Sequence, residues 1–484
     1  MLAAMMRREV VRPDFSDYIC SLLMKIFGAV FYRYLWVIFN LFLAYFYRYS
    51  RRNQTTGLHN IPNDRPVLLC SNHPNAFMDA LMLGSTVGRR SWFLARSDVF
   101  RKKTLAKFLS FIGIIPIYRL LEGAENLSKN DETFEKCAAM LEENKAIMVF
   151  SEGLCIQERR LRKLKKGTAR IAFSSEEKND WKLNLTIVPV GMNYSATPWK
   201  FRKGLHVRFG KPIAVKDYEE LYKKDKARAM NLFTRELEER MAAELVIIDN
   251  KENDRLVAQQ EEMLIPGWAA RAGINPHDQK NTHAFTQQIT HFLKEEEKEN
   301  PERVKALREK SAAYFKKLNS LKTRDWVVAK AEKGKLSWGG VILRYFFFLL
   351  LSPIWLFGVI TNYIPYKIPS LIANKIVKHI EWHASVNATM AIFLWQFYWL
   401  LQSLVVALVF RDWILLWAFM LAVPVAGMIA QEMYVVLKKA NGAARLLSAK
   451  KRAGELVEMR KEIVKEAEAL KGKFPVNEEL RIKN

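Results

Sequence analysis

Between Arg51 and about Val215 the chain alternates short β-rich apolar runs with stretches of helical periodicity. The runs 66–70, 91–95, 112–118, 146–150, 185–191 and 205–209 have the length and the β-branched or aromatic content of strands. Helical patterns fall between several of them, at 98–110, 131–144 and 165–175. This alternation predicts an α/β domain, a mostly buried sheet flanked by helices, with its site at strand ends. From 216 to 340 the pattern turns charged and helical, with runs such as Lys294-Glu295-Glu296-Glu297-Lys298 and the spacing Leu237, Met241, Leu245. A solvated helical hairpin or bundle explains such runs, and Ile265-Pro266-Gly267 reads as a turn within it.

Three long apolar segments follow, Tyr345 to Tyr363, Ala388 to Phe410 and Trp413 to Leu437. The last two are each long enough to cross a bilayer, and the polar break Arg411-Asp412 makes them a tight helical hairpin. The first contains Pro353 and runs into Pro365 and Pro369, so re-entrant and interfacial placements both stay open. Residues 24–47 are apolar and aromatic but interrupted by Arg33, and read as an interfacial or re-entrant helix. After Leu437 a basic tail carries the amphipathic stripe Leu456, Met459, Ile463, Leu470, a surface helix lying on the membrane or on another part of the protein. The organisation expected is a membrane-associated segment at 1–50, a catalytic domain at 51–215, a charged helical region at 216–340, membrane segments at 341–437 and the tail at 438–484.

Composition narrows the class. The chain has 484 residues, half of them hydrophobic and 12% aromatic, with a net charge of +26. Positive charge joined to this apolar content favours a protein working at an anionic membrane surface. A nucleic-acid binder would interleave aromatic with basic residues on an exposed face, whereas most aromatics here lie in the apolar runs. The catalytic segment and the tail are both basic, which the positive-inside rule places on the cytoplasmic side, with an even number of crossings between them. Cys20, Cys70, Cys137 and Cys155 show no paired spacing, so neither a disulfide framework nor a zinc site is expected, and no metal is called for. The stretch Met1 to Arg8 lacks the layout of a cleaved signal peptide.

The candidate chemistry begins at Ser71-Asn72-His73-Pro74-Asn75-Ala76-Phe77-Met78-Asp79, directly after the run Val67 to Cys70. An imidazole titrates near working pH, and a carboxylate on its far nitrogen fixes the tautomer and stabilises the imidazolium. Six residues along a regular helix separate two side chains by roughly 9 Å. Pro74 disfavours a helical His73 and suits a first helical position, so His73 is expected in the turn, folding back toward Asp79. Further on, Gly113-Ile114-Ile115-Pro116-Ile117-Tyr118-Arg119 ends a strand in a guanidinium suited to a phosphate. Phe150-Ser151-Glu152-Gly153 ends another in a carboxylate, and Lys165 and Arg170 supply cations near a helix start. Val188-Pro189-Val190-Gly191-Met192-Asn193-Tyr194 reads as a buried strand whose role is packing. Cys155 has no histidine beside it in sequence, and a small buried cysteine is its ordinary use.

In that order, the His/Asp stretch, Ile-Pro-Ile-Tyr-Arg, Phe-x-Glu-Gly and Val-Pro-Val resemble the four blocks of the glycerolipid acyltransferases, over roughly residues 60 to 215. The resemblance implies a glycerolipid-acyltransferase-like sheet with His73 as general base and Asp79 as its orienting partner. It also implies Arg119, Glu152 and Gly153 as glycerol-phosphate contacts, and matches Lys165, Gly167 and Arg170 to the segment after the Glu-Gly block. Five residues separate His73 from Asp79, where four are usual, which is similar to the fungal-type glycerol-3-phosphate/dihydroxyacetone-phosphate acyltransferases and their bacterial relatives. Ser151 stands where most members have proline. The implied activity is membrane-bound transfer of a fatty acyl group to glycerol 3-phosphate or dihydroxyacetone phosphate in phospholipid biosynthesis, with lysophosphatidate as the alternative acceptor. The thioester co-substrate is acyl-coenzyme A or an acyl carrier protein, with no other cofactor. The expected partners are the bilayer and these substrates, and not nucleic acid. A non-catalytic lipid-binding scaffold is the alternative of another class.

Overall fold

The computed structural model describes residues 53–118, 129–194, 204–276 and 278–473. The 24–47 segment, Arg119 and the end of the tail lie outside the described residues. Eight strands build one sheet: β1 (Asn53–Thr56), β2 (Val67–Ser71), β3 (Ser91–Arg96), β4 (Ile114–Ile117), β5 (Ala146–Phe150), β6 (Thr186–Tyr194), β7 (Leu205–Phe209) and β8 (Ile213–Ala214). Their order is β1-β7-β6-β2-β5-β3-β4, with β8 beside β6. From β6 to β4 all neighbours are parallel, while β7 and β8 run antiparallel to β6. Interleaved helices are α1 (Phe77–Thr86), α2 (Lys103–Phe111), α3 (Lys129–Glu142) and α4 (Gly167–Lys178). This is the expected α/β architecture, and the central strand β2 is buried at every position.

Because strand side chains alternate between faces, β2 feeds two cores. Leu68 and Cys70 join Ile147, Val149 and Ile187 on the face covered by α3 and α4. Val67 and Leu69 join Met148, Val188 and Val190 on the face covered by α1. The charged region opens with α5 (Glu219–Lys224) and α6 (Lys226–Ala243), followed by α7 (Asn253–Arg271), α8 (Gln279–Glu299), α9 (Pro301–Ser320) and α10 (Asp325–Glu332). The α6 stripe Phe233, Leu237, Met241 packs into the sheet core rather than among the later helices.

At Ile265-Pro266-Gly267 the expected turn is absent, and α7 runs straight through Pro266. A proline inside a helix costs about 3 kcal/mol. Met263, Leu264, Ile265 and Trp268 are all buried on that stretch, and burying each stabilises by about 1.5–3 kcal/mol. Packing therefore outweighs the local signal. The tail helix α15 (Lys450–Lys473) settles its own open question by lying on this region. Leu456, Ile463 and Leu470 enter the same core as α7 to α9, and Arg460 reaches Asp325 at 2.9 Å and Glu332 at 2.7 Å.

Between α10 and α15 stand α11 (Trp338–Leu350), α12 (Ser352–Ile376), α13 (Ile380–Phe410) and α14 (Trp413–Ser448). Among the described residues, α13 and α14 are long and apolar enough to cross a membrane, and α11 with α12 forms a pair bent by 62°. Arg411 turns left-handed at φ 51 to close α13, and Asp412 accepts from the Ile414 and Leu415 N–H groups to start α14. In an apolar medium polar groups must be satisfied within the protein. Accordingly, Asn362 donates to the Val423 carbonyl at 3.1 Å, Trp395 to Asn362 at 3.2 Å and Gln402 to the Thr361 carbonyl at 3.0 Å. Close helix approach needs small residues: a Cβ on Gly358 would overlap the Ala426 backbone. Both ends of the hairpin return to one body. Ala388 and Ala391 of α13 join the α1 face of the sheet, and Ala443 and Leu446 of α14 join the helical core.

Candidate active site

Strand register brings the candidate residues together. Ser71 of β2 pairs with Phe150 of β5 and Val190 of β6, so His73 and Glu152 each leave the sheet two residues beyond paired positions, at the carboxyl ends of parallel strands. Asn72 extends the ladder with its side chain: its amide donates to the Met192 carbonyl at 3.2 Å, and its oxygen accepts from the Met192 N–H at 2.8 Å. That clamp lets the backbone turn out of the sheet at His73.

His73 lies in the turn and Asp79 in the first turn of α1. His73 Nδ1 is 3.0 Å from Asp79 Oδ2. The two are not on one helix pointing apart, because Pro74 and the left-handed Ala76 (φ 44) fold the intervening residues back. A positive φ at a non-glycine residue is a strained conformation held by its surroundings. Asp79 is fully buried and accepts two further hydrogen bonds, from the Asn75 N–H to Oδ2 at 2.7 Å and from the Tyr194 hydroxyl to Oδ1 at 2.7 Å. The carboxylate acceptor assigns the proton of His73 to Nδ1, which leaves Nε2 as the lone-pair nitrogen. The imidazole stacks on Phe150, centroids 3.9 Å apart and planes 16° from parallel.

Glu152 clamps two loops. Its oxygens accept from the His73 N–H at 3.3 Å and the Arg162 N–H at 3.2 Å. Burial pushes its carboxyl above the usual carboxylate range, against the lowering effect of those two donors. Gly153 turns left-handed at φ 68 and passes close to the Lys165 stem. Lys165 and Arg170 are exposed and carry no ion pair among the described residues. Arg159, in the same loop as Arg162, makes a two-point contact with Glu261 of α7 at 2.8 and 3.0 Å, so the helical region braces this loop.

Cys155 is an acceptor here, its Sγ taking the Ala76 N–H at 3.0 Å. Burial, and then the charge of Asp79, push its thiol well up, the opposite of what a nucleophilic cysteine needs. The described residues contain no cluster of three or more metal-ligating side chains. Sequence reasoning missed Tyr194, Asn72 and Phe150. Tyr194 had a signal, since alternation along β6 puts Val188, Val190, Met192 and Tyr194 on one face, the face that α1 covers.

Residues 52–193 match a family model described as Acyltransferase. The match runs from β1 into β6 and contains His73, Asp79 and Glu152, so this segment is similar to that family across most of the sheet and its site. None of the curated protein sequences matches the chain. Among solved structures, the 1-acyl-sn-glycerophosphate (LPA) acyltransferase PlsC from Thermotoga maritima aligns at 17% identity. It covers 39% of this chain and 71% of its own, with a TM-score of 0.26.

Proposed function

We propose that the protein is a membrane-bound O-acyltransferase of glycerolipid synthesis, moving a fatty acyl group from a thioester to a hydroxyl of glycerol 3-phosphate or dihydroxyacetone phosphate. The observation that carries the reading is the His73–Asp79 pair at the end of β2, inside a segment that matches an acyltransferase family. In this reaction His73 Nε2 takes the acceptor's hydroxyl proton as its oxygen attacks the thioester carbon. The carbon–sulfur bond then breaks, and the imidazolium returns the proton to the departing thiolate. Asp79 holds the ring and balances the positive charge while it exists. Transfer is direct. Cys155 forms no acyl intermediate, because its thiol is held protonated and occupied by the Ala76 N–H.

Lys165 and Arg170, exposed at the start of α4, are suited to a phosphate group, with Arg119 completing the set, and Glu152 and Gly153 shape that wall of the site. The thioester carrier is acyl-coenzyme A or an acyl carrier protein, whose phosphates the basic domain attracts. A hairpin long and apolar enough to cross a bilayer fits a product that enters lipid, and the basic charge of the catalytic segment and the tail supports a cytoplasmic catalytic domain. Purified full-length protein, given radiolabelled acyl-coenzyme A with glycerol 3-phosphate, dihydroxyacetone phosphate or lysophosphatidate in turn, tests this. Transfer to an unacylated acceptor is expected, with a loss of about three orders of magnitude in His73→Ala. Preference for lysophosphatidate would move the acceptor assignment, and no transfer to any of the three would sink the activity.

A further inference from the structure

We propose that Ser385, in the second turn of the membrane helix α13, is a positioning residue of the active site, because it caps the helix that carries Asp79. The proposal rests on the acyl-transfer reading for its kinetic consequence, though not for its geometry. Helix α1 begins without a cap of its own. The first N–H groups of a helix need outside acceptors, and Ser, Thr, Asp or Asn just before the helix ordinarily supplies one. Here the capping position is Ala76, which has no side-chain acceptor. Asn75 comes next, yet among the described residues both polar atoms of its buried carboxamide have no hydrogen-bond partner.

Within the turn the Met78 N–H also reaches the Asn75 carbonyl at 3.1 Å, and the side-chain acceptor arrives from far along the chain. Ser385 Oγ accepts the Met78 N–H at 2.9 Å and donates its own proton to the Asn75 carbonyl at 3.0 Å. One hydroxyl thus ties together both ends of the turn Asn75 to Met78. Asn75 is also the residue whose N–H holds Asp79 Oδ2, the oxygen that faces His73 Nδ1. A shift of the Asn75 peptide therefore moves the acceptor that orients the imidazole.

A second serine of α13 shows that this arrangement is specific. Helical serines usually bond back to their own helix, and Ser403 does so, donating to the Trp399 carbonyl at 2.9 Å. Ser385 instead spends both hydrogen bonds on the catalytic turn, and it is only 3% exposed. The neighbouring Ala388 and Ala391 pack into the core between α1 and the sheet, which fixes the serine at that distance. The left-handed Ala76 lies inside the tied turn, so the same contact holds a strained backbone in place. Seating of the membrane hairpin and alignment of the dyad are thereby one event.

The test uses full-length protein in phospholipid nanodiscs, comparing Ser385→Ala, Ser385→Thr and the matched control Ser403→Ala. Two quantities are read: kcat and KM with acyl-coenzyme A and the preferred acceptor, and hydrogen–deuterium exchange of the peptide covering residues 75–79. Ser385→Ala is expected to lower kcat at least tenfold with KM within twofold, and to speed exchange at 75–79 by tenfold or more. Ser385→Thr should recover most of both, and Ser403→Ala should match the wild type. If the alanine variant does not assemble, Ser385→Cys keeps the size, weakens both hydrogen bonds and should shift the same two readouts by less. Unchanged exchange at 75–79, an equal response from Ser403→Ala, or no recovery with threonine would each overturn the capping role. If exchange responds as stated but the wild type transfers no acyl group, the acyl-transfer reading fails and the cap stands.

Discussion

Asp79→Asn separates the charge of the dyad from its geometry. Asp79 receives two donors on Oδ2, from His73 and Asn75, and one on Oδ1, from the Tyr194 hydroxyl. An asparagine can set its oxygen at the Oδ2 position and keep the first two. Its NH₂ then faces Tyr194, whose hydroxyl rotates to accept, since a phenol can act either way. The fold should survive with a thermal midpoint close to that of the wild type, whereas Asp79→Ala would remove the acceptor of the buried Asn75 N–H, at about 1–3 kcal/mol. What the asparagine loses is the negative charge beside the transient imidazolium. At a charge separation of about 4 Å and an effective dielectric near 20, that attraction is about 4 kcal/mol, which corresponds to about three orders of magnitude in rate. The assay is transfer of labelled acyl groups under single-turnover conditions with saturating acceptor, so that the chemical step is read directly. Both substrate KM values should stay within a few-fold, because the lost interaction exists only when His73 is protonated. A folded Asp79→Asn protein that keeps more than a tenth of the wild-type rate would refute the base-and-partner reasoning.

Cys155→Ser keeps an acceptor for the Ala76 N–H and should leave kcat within about threefold, whereas loss of a nucleophile costs several orders of magnitude; the same acyl-transfer assay decides. Gly358→Leu sets a side chain against the Ala426 backbone and should destabilise the packing of α12 on α14 by about 3 kcal/mol; an unchanged thermal midpoint in nanodiscs would contradict that crossing. His206 of β7 and His283 of α8 face each other in the interior, ring centroids 5.3 Å apart, and burial holds the His206 imidazole down at about 3 and that of His283 well below its ordinary value. The unfolded chain then binds more protons than the folded one below an ordinary histidine value of about 6.5, so stability is full above that pH and falls as the pH drops toward 3. For His206 alone the loss is about 2 kcal/mol between pH 7.5 and pH 5, and His206→Gln should be less acid-sensitive by that amount in denaturant titrations at the two pH values.

What the chain's pattern made legible follows the physics of burial. The runs 146–150 and 205–209 became β5 and β7 with the same bounds, β5 because a strand buried on both faces is apolar throughout and β7 because Leu205, Val207 and Phe209 alternate with His206 and Arg208. The break at Arg411-Asp412 was equally readable, since only a cap and a left-handed turn fit between two apolar helices. The turn at Pro266 was misread because a local signal was set against core packing that no local window contains. The dyad spacing was readable for a related reason: Pro74 constrains its neighbours whatever the rest of the fold does.

The remainder of the site depends on contacts with no local signature. Tyr194 reaches Asp79 across 115 residues, and Ser385 reaches Met78 across 307. In a window around either residue, a tyrosine ending a buried strand and a serine opening an apolar helix look like packing. Apolar periodicity reports which face of an element is covered, and on α13 it reports that the face of Ala388 is. It is silent on where a hydroxyl on that face points, which is settled by the unpaired N–H and carbonyl groups of whatever arrives opposite. At α1 the arriving groups belong to a helix start whose own residues supply no cap. A helix start with no side-chain cap next to a catalytic pair is therefore the clue to a distant partner: Ala76 ahead of Asp79 offers no side-chain acceptor, and another segment can supply one. In this protein that segment is a helix long and apolar enough to cross a membrane, so changes to the hairpin should reach the chemistry through Asn75 before they disturb the sheet.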